Sequence, residues 1–254
     1  MSPIDSTQRP IIDADDVKRD IDVLLWSMRL QWVRRYYRQR FWEKEATAAS
    51  FAELVEPFPR LETVAEHSWH VADCTLLLAD HFPELDPDHC VVLALLHDKL
   101  EIVTGDPSPV GRDGTGQKTH AFNPERRFSK VERERYALKT YLARLRRSAR
   151  PLQEKHLVEL LDGTSHEALF VKGIDKLQAF AYVMLKKRGE LDDSHLAFTL
   201  HYSKQTLTYF PQLGNHYEEL RSRFLRQVAR RRNTTVQQLL KSIDDGQMTL
   251  DFFF

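Results

Sequence analysis

No glycine interrupts this chain before Gly105, and the prolines up to that point stand only at Pro3, Pro10, Pro57, Pro59, Pro83 and Pro87. Helix-breaking residues are confined to a few places, and the intervals between them are long enough for helices. Within the first interval apolar residues recur at three- and four-residue steps. Val17, Ile21, Leu24, Leu25, Met28, Trp32 and Tyr36 form one such stripe and predict a helix from about 13 to 44. A second helix is expected over 61–82, with Glu62-Thr63 at its start and Val64, Val71, Leu77 and Leu78 on its buried face. The segment 83–87 reads as a turn, and Asp88 as the N-cap of a third helix running through Asp98 towards Val103. Further helices are expected over 124–149, 152–161, 165–185, 193–210 and 214–231. A last short one, over 236–243, has Asn233 as its expected cap. Strand-like alternation is nearly absent and no internal repeat is visible, so the expected fold is all-α. Residues 1–12 read as a flexible lead-in, 13–190 as the main domain, and 191–254 as a C-terminal helical extension packed on that domain.

Charge and cysteine usage narrow the setting. Lysine plus arginine equal aspartate plus glutamate at 37 each, which gives no global reason to expect a nucleic-acid or membrane surface. Arg221, Arg223, Arg226 and Arg230–Arg232 make the extension locally basic, and a solvated helix face is the preferred reading over nucleic-acid binding. Cys74 and Cys90, the two cysteines, both lie in apolar helical patterns and read as free thiols, which suits a reducing cytoplasm. No apolar run approaches a membrane span, and the first ten residues carry no apolar signal region. The expected location is therefore cytoplasmic. The Gly- and Pro-rich stretch 105–124, with Arg112, Lys118 and His120, is long for a compact domain and reads either as a binding loop or as a surface insertion. The terminal Phe252, Phe253 and Phe254 are expected to dock on a subunit or on the domain itself.

The chemistry concentrates at Cys90-Val-Val-Leu-Ala-Leu-Leu-His97-Asp98, where an apolar helical run ends in an imidazole and a carboxylate. Such a pair is suited to a hard or borderline divalent cation, although a polar pair at a helix end has the same appearance. Glu101 follows His97 by one helical turn and can share its face. His67 and His70 are three residues apart upstream. Asp175 lies in an apolar helix, where an unpaired carboxylate is costly, so it requires a metal, a hydrogen-bond donor or a cation such as Lys172 or Lys176.

This arrangement resembles the HD-domain phosphohydrolase superfamily, with its histidine, His-Asp pair and distant aspartate at His67, His97-Asp98 and Asp175. More narrowly it is similar to the 5′-deoxynucleotidase family. The residues carrying that closer likeness are Arg60-Leu-Glu-Thr-Val-Ala-Glu-His67-Ser, His97-Asp98-Lys-Leu-Glu101-Ile-Val-Thr-Gly-Asp106 and Lys172-Gly-Ile-Asp175-Lys. The resemblance spans about residues 55–185 and implies an HD-type helical bundle. It implies that His67, His97, Asp98 and Asp175 bind one divalent ion, whether manganese, cobalt, iron or a similar metal. Glu101 would orient or deprotonate a water, and Asp106 would position a water or protonate the departing 5′-oxygen. Arg60 and Lys172 would contact the phosphate of a nucleotide substrate, with Lys172 alternatively neutralising Asp175. Members are often dimers, which makes the Trp- and Tyr-rich first helix an expected homodimer interface.

The likeness also has gaps. The family carries an Arg-Trp pair shortly before the arginine matching Arg60, whereas this chain has Phe51-Ala52-Glu53 there and Arg40-Phe41-Trp42 further upstream. The expected activity is metal-dependent removal of phosphate from (deoxy)nucleoside 5′-monophosphates. Two alternatives stay open at this level: a deoxynucleoside triphosphate triphosphohydrolase, using the basic residues of the 105–124 loop as a clamp, and a non-catalytic nucleotide-sensing HD protein.

Overall fold

The computed structural model describes residues 13–37, 39–42 and 61–247, with side chains to 243. The expected lead-in 1–12, Arg60, the segment Phe51-Ala52-Glu53 and the terminal phenylalanines lie outside the described residues.

Helix α1 spans Ala14–Ser27, and the Asp13 carboxylate caps it by accepting from the Asp15 and Asp16 amides. It is shorter than the stripe to residue 44 predicts. After a 3₁₀ turn over Met28–Trp32 the chain turns away to pair with the segment before the next helix. Arg34 bridges Thr63, Arg35 N–H donates to Glu62 O at 3.0 Å, and Val64 N–H donates to Val33 O at 2.8 Å. This non-local pairing overrides the local periodicity. It leaves Tyr36 at φ 60°, uncommon for a bulky residue, with its ring stacked on Tyr182 at 5.0 Å. Beyond it, a short 3₁₀ turn over Arg40–Trp42 is held by Lys187 Nζ, which donates to Phe41 O.

Helix α2, Val64–Ala79, starts with a reciprocal cap in which the Glu66 amide donates to Thr63 Oγ1 and the Thr63 amide to Glu66 Oε2. Helix α3 spans Pro87–Leu96, and its N-cap is Asp86, not Asp88. Pro87 has no N–H to satisfy and a fixed φ suited to the first helical position, so the cap falls on the residue before it. The helix also stops earlier than expected. His97 Nδ1 donates to Ala94 O at 2.7 Å, and the next bonds shorten to three-residue steps, with Lys99 N–H to Leu96 O and Glu101 N–H to Asp98 O. A short helix α4, Glu101–Thr104, follows and ends at Gly105, whose φ of 70° favours glycine.

The remaining helices are α5 Pro124–Arg144, α6 Arg150–Asp162, α7 His166–Lys187, α8 Asp193–Ser203, α9 Gln205–Tyr209, α10 Gly214–Arg231 and α11 Val236–Gln247. The helix expected over 193–210 is broken at Lys204, where Ser203 Oγ bonds back to Leu200 O. For α11 the cap is Thr235, whose hydroxyl accepts from the Gln238 amide, and not Asn233.

The all-α expectation holds, with an isolated bridge and no named strand among the described residues. The core is organised around α7. Its Phe170, Val171, Ile174 and Phe180 are fully or nearly fully buried in a cluster with Val71 of α2 and Leu93 of α3. That cluster continues without interruption through Leu196, Leu213, Phe224 and Leu239. Gly173 lets the following layer approach α7, because a Cβ there would lie 3.0 Å from Leu213 Cδ1 and 3.2 Å from Phe210 Cβ. The stripe of α1 is not part of this core: Val17, Ile21, Leu24 and Leu25 remain 44–59% exposed. The basic face of the C-terminal helices is partly paired, with Arg223 to Glu219, Arg231 to Glu190 and Arg232 to Asp193. No helix among the described residues is long and apolar enough to cross a membrane.

Candidate metal centre

The local structure explains how the site residues meet. The cap of α2 places His67 in its first turn, fully buried and facing α7, whereas His70 points to solvent. The broken end of α3 places His97 and Asp98 opposite it. Asp175 comes from the middle of α7. The two Nε2 atoms of His67 and His97 are 3.2 Å apart. Asp98 Oδ2 lies 3.5 Å from the first and 3.2 Å from the second, and Asp175 Oδ1 lies 3.0 Å from His67 Nε2.

The orientation of both rings is set from behind. His67 Nδ1 bonds Gln178 Oε1 at 2.8 Å, and His97 Nδ1 bonds the Ala94 carbonyl at 2.7 Å. A carbonyl oxygen only accepts, so each Nδ1 carries a proton, and each Nε2, once it holds no proton, directs a lone pair at the other ring and the carboxylates. Ligand atoms of His67, His97 and Asp98 thus lie within 4.8 Å of one another, and Asp175 adjoins the group through His67. A divalent cation satisfies that donor set, and the residues fit such an ion.

The electrostatics agree. Burial, aided by Arg35, pulls His67 down to about 4, which keeps its imidazole neutral. Burial would raise Asp175, but the Lys176 ammonium at 2.7 Å, with the His67 ring 3.0 Å away, holds it well below the usual carboxylate range. Burial likewise opposes ionisation of Asp98, and His97 overrides it. His97 itself is raised because Asp98 outweighs burial. The proton between that pair is what a cation would displace.

The centre opens into a cavity of about 420 Å³, within the range of small-ligand sites. Glu101 and Asp106 line it, although the helix that was expected to carry Glu101 past His97 is interrupted. Burial, then Asp98 and Asp106, raise Glu101 well above the usual range, and its buried Oε2 has no hydrogen-bond partner. Asp106, delivered by the Gly105 turn, is raised to about 6 by burial. Lys172 and Lys176 also line the cavity, and Lys176 rather than Lys172 is the ammonium bonded to Asp175.

Several cavity residues escaped the sequence reading. Arg35 Nη1 lies 3.7 Å from Asp98 and 3.9 Å from Asp175, and its Nε lies 3.5 Å from Glu62. Its buried Nε and Nη1 have no hydrogen-bond partner. Trp42, Phe198, Tyr202 and His195 form an aromatic wall. The 105–123 loop is folded on itself, with Thr119 Oγ1 donating to Pro109 O and the Gly116 amide to Val110 O. It sends His120 towards the cavity and leaves Arg112 and Lys118 exposed.

These features have a known setting. The chain belongs to the HD-domain family, whose model matches residues 53–213. Among curated proteins it is 27% identical over 141 residues to the 5′-deoxynucleotidase hdd1 of Schizosaccharomyces pombe, covering 54% of this chain and 66% of that protein. It is 32% identical over 143 residues to the human 5′-deoxynucleotidase HDDC2 (53% and 61% covered) and 34% identical over 141 residues to the Bos taurus protein of that name (52% and 60%). The matched region thus spans somewhat less than two thirds of these relatives. A solved structure described as a predicted metal-dependent phosphohydrolase, from Magnetospirillum magnetotacticum, superposes with a TM-score of 0.60 at 19% identity, covering 85% of this chain and 97% of that one. A conserved hypothetical protein from Pyrococcus furiosus superposes with a TM-score of 0.51 at 21% identity, covering 78% and 99%. These two likenesses concern the fold.

Proposed function

We propose that this chain is a divalent-metal-dependent phosphohydrolase that removes phosphate from (deoxy)nucleoside 5′-monophosphates. The observation that carries the reading is the pair of imidazole Nε2 atoms 3.2 Å apart, each with its Nδ1 committed, beside two carboxylates on a cavity floor. His67, His97, Asp98 and Asp175 would hold one ion; manganese, cobalt and iron all suit mixed imidazole and carboxylate ligation. When bound, the ion supplies Lewis acidity to a phosphoryl oxygen and acidifies water.

The chain's own groups do the rest. Arg35 presents a planar guanidinium to a phosphate beside the centre, the task that the sequence suggested for Arg60. Lys172 adds positive charge from α7. Glu101, ionised once a cation stands beside it, would orient the attacking water and accept its proton, and Asp106, raised by burial to about 6, would supply a proton from its protonated fraction to the departing 5′-oxygen. The aromatic wall of Trp42, Phe198 and Tyr202 offers flat apolar faces to a base. A buried floor and a folded loop limit the access of bulk water.

The same support favours one phosphate over three. Arg112 and Lys118 of the loop stand in solvent, and Arg127 is spent on the loop's own carbonyls, His120 O and Ala121 O. A purely sensing protein is disfavoured by two acids, Glu101 and Asp106, that it has no need to keep in the cavity. A homodimer covering the exposed α1 face, and a cytoplasmic site of action consistent with two free thiols, complete the proposal.

The test is product analysis with ribo- and deoxynucleoside mono- and triphosphates, with manganese, cobalt and magnesium tried separately and Glu101→Ala as the blank. Inorganic phosphate from deoxynucleoside monophosphates is expected. Tripolyphosphate from triphosphates would replace this reading with the triphosphohydrolase. No product from any of these substrates would refute both the monophosphatase and the triphosphohydrolase readings.

A further inference from the structure

A second cluster of ligating side chains lies at the other end of α3. His89 occupies the first turn of that helix, and His156 and Glu159 sit three residues apart on one face of α6. One ligand atom from each lies within 4.8 Å of the other two. His89 Nε2 is 2.8 Å from Glu159 Oε1 and 3.1 Å from Oε2. The rings of His89 and His156 have centroids 5.3 Å apart. His156 Nδ1 is buried and has no hydrogen-bond partner. Ser165, which caps α7, hydrogen-bonds the same Glu159 carboxylate. The starts of α3 and α7 and the body of α6 therefore meet at this cluster.

We propose that His89, His156 and Glu159 form a second metal site, taking a zinc-class divalent ion, separate from the His67–His97–Asp98 centre. Two imidazoles and a carboxylate are a borderline donor set, preferred by zinc over magnesium or calcium. A tetrahedral ion with ligands at about 2.0–2.1 Å spaces its donors by about 3.3 Å. The present spacing brackets that value, with His89 and Glu159 at 2.8 Å and the other donor pairs within 4.8 Å. The ligands are reachable, with the His89 side chain 24% and the Glu159 side chain 13% exposed. The surroundings favour a cation: Asp86 and Glu167 lie close by, linked by a bond from the Asp86 amide to Glu167. Lys155 is the nearby positive group, and it adds to the burial and His89 that lower His156. The ion would tie α6 to the base of the helix whose other end carries His97 and Asp98, a bracing role that takes no part in the hydrolysis.

The inference does not depend on the proposed activity, and its test reads metal binding. The full chain is stripped with a chelator and titrated with zinc alone, and bound metal and the melting temperature are measured for Asp98→Ala, Asp98→Ala/Glu159→Gln and Asp98→Ala/His156→Ala. Asp98→Ala weakens the first centre and isolates the second. It is expected to retain one zinc and a zinc-dependent rise in melting temperature, and both double variants to lose them by at least tenfold in affinity. Glu159→Gln keeps the shape of the side chain and its contact with Ser165, and an unchanged far-ultraviolet spectrum verifies its fold. Zinc binding that is absent from Asp98→Ala, or the same in all three proteins, would overturn the proposal and leave His89–Glu159 as an ion pair.

Discussion

Gln178→Leu is expected to weaken metal binding at the His67 centre without touching a proposed ligand. Gln178 is 7% exposed, and its Oε1 receives the Nδ1 proton of His67 at 2.8 Å. That bond holds the tautomer in which Nε2 has a free lone pair. Loss of such an orienting partner commonly costs 10–100-fold in metal affinity. The structure places the expectation within this range. The next acceptor, Glu62 Oε1, is 3.6 Å from Nδ1, too far to take over without movement. The buried position also hinders replacement by water. About 30-fold, or about 2 kcal/mol, is therefore expected. The assay is equilibrium dialysis of manganese and cobalt against wild type, Gln178→Leu and Gln178→Glu, with circular dichroism as the fold control. Gln178→Glu keeps an oxygen acceptor and should recover most of the affinity. Binding by Gln178→Leu within threefold of wild type would refute the argument that this bond sets the donor geometry.

Other perturbations address separate parts of the site. Glu101→Gln should keep metal stoichiometry while lowering kcat by at least about 100-fold, measured as phosphate release; full turnover would remove Glu101 from proton transfer. Arg35→Met should raise KM for a nucleotide monophosphate at least about tenfold, since a charge-assisted hydrogen bond contributes about 1.5–3 kcal/mol; an unchanged KM would move phosphate recognition elsewhere. His195 is buried against Phe41 at 4.3 Å, and burial, then Lys187, lower it to about 3. The folded state therefore binds its proton less readily than the unfolded chain. The stability is complete above the unfolded value of about 6.5 and is lost as pH falls towards the folded value, about 2 kcal/mol of it between pH 7 and 5. His195→Gln should flatten that slope in urea titrations, in part only, because His120 is also lowered to about 3 by burial.

What the sequence could reveal follows from how each residue is placed. His67, His97, Asp98 and Asp175 stood out as candidates because their residue types are chemically distinctive and their order resembles that of the HD superfamily. The helices themselves were legible through their periodicity, and the start of α2 through Glu62-Thr63. Errors fell at helix ends. Asp86 won the cap of α3 from Asp88 because of Pro87, and Lys204 broke a continuous apolar stripe. Arg35, which lines the cavity beside Asp98 and Asp175, was invisible because nothing distinguishes it from Arg34, Arg38 and Arg40 in a basic run.

Arg35 becomes distinct only through the pairing of Val33–Arg35 with Glu62–Val64. That pairing has no strand signature, since it is short and joins segments separated by nearly thirty residues. Its effect on the site is nevertheless direct. The amide of Val64 and the carbonyl of Glu62 are fixed beside the cap that starts α2, so one local structure sets both His67 and Arg35. The proposed metal ligand His67 and the proposed phosphate-binding Arg35 are thus held by a common frame, with Tyr36 in an uncommon conformation to complete the turn. The position of the guanidinium is a consequence of backbone pairing, and the position of the imidazole is a consequence of helix capping. A helix pattern alone conveys the second and is silent about the first.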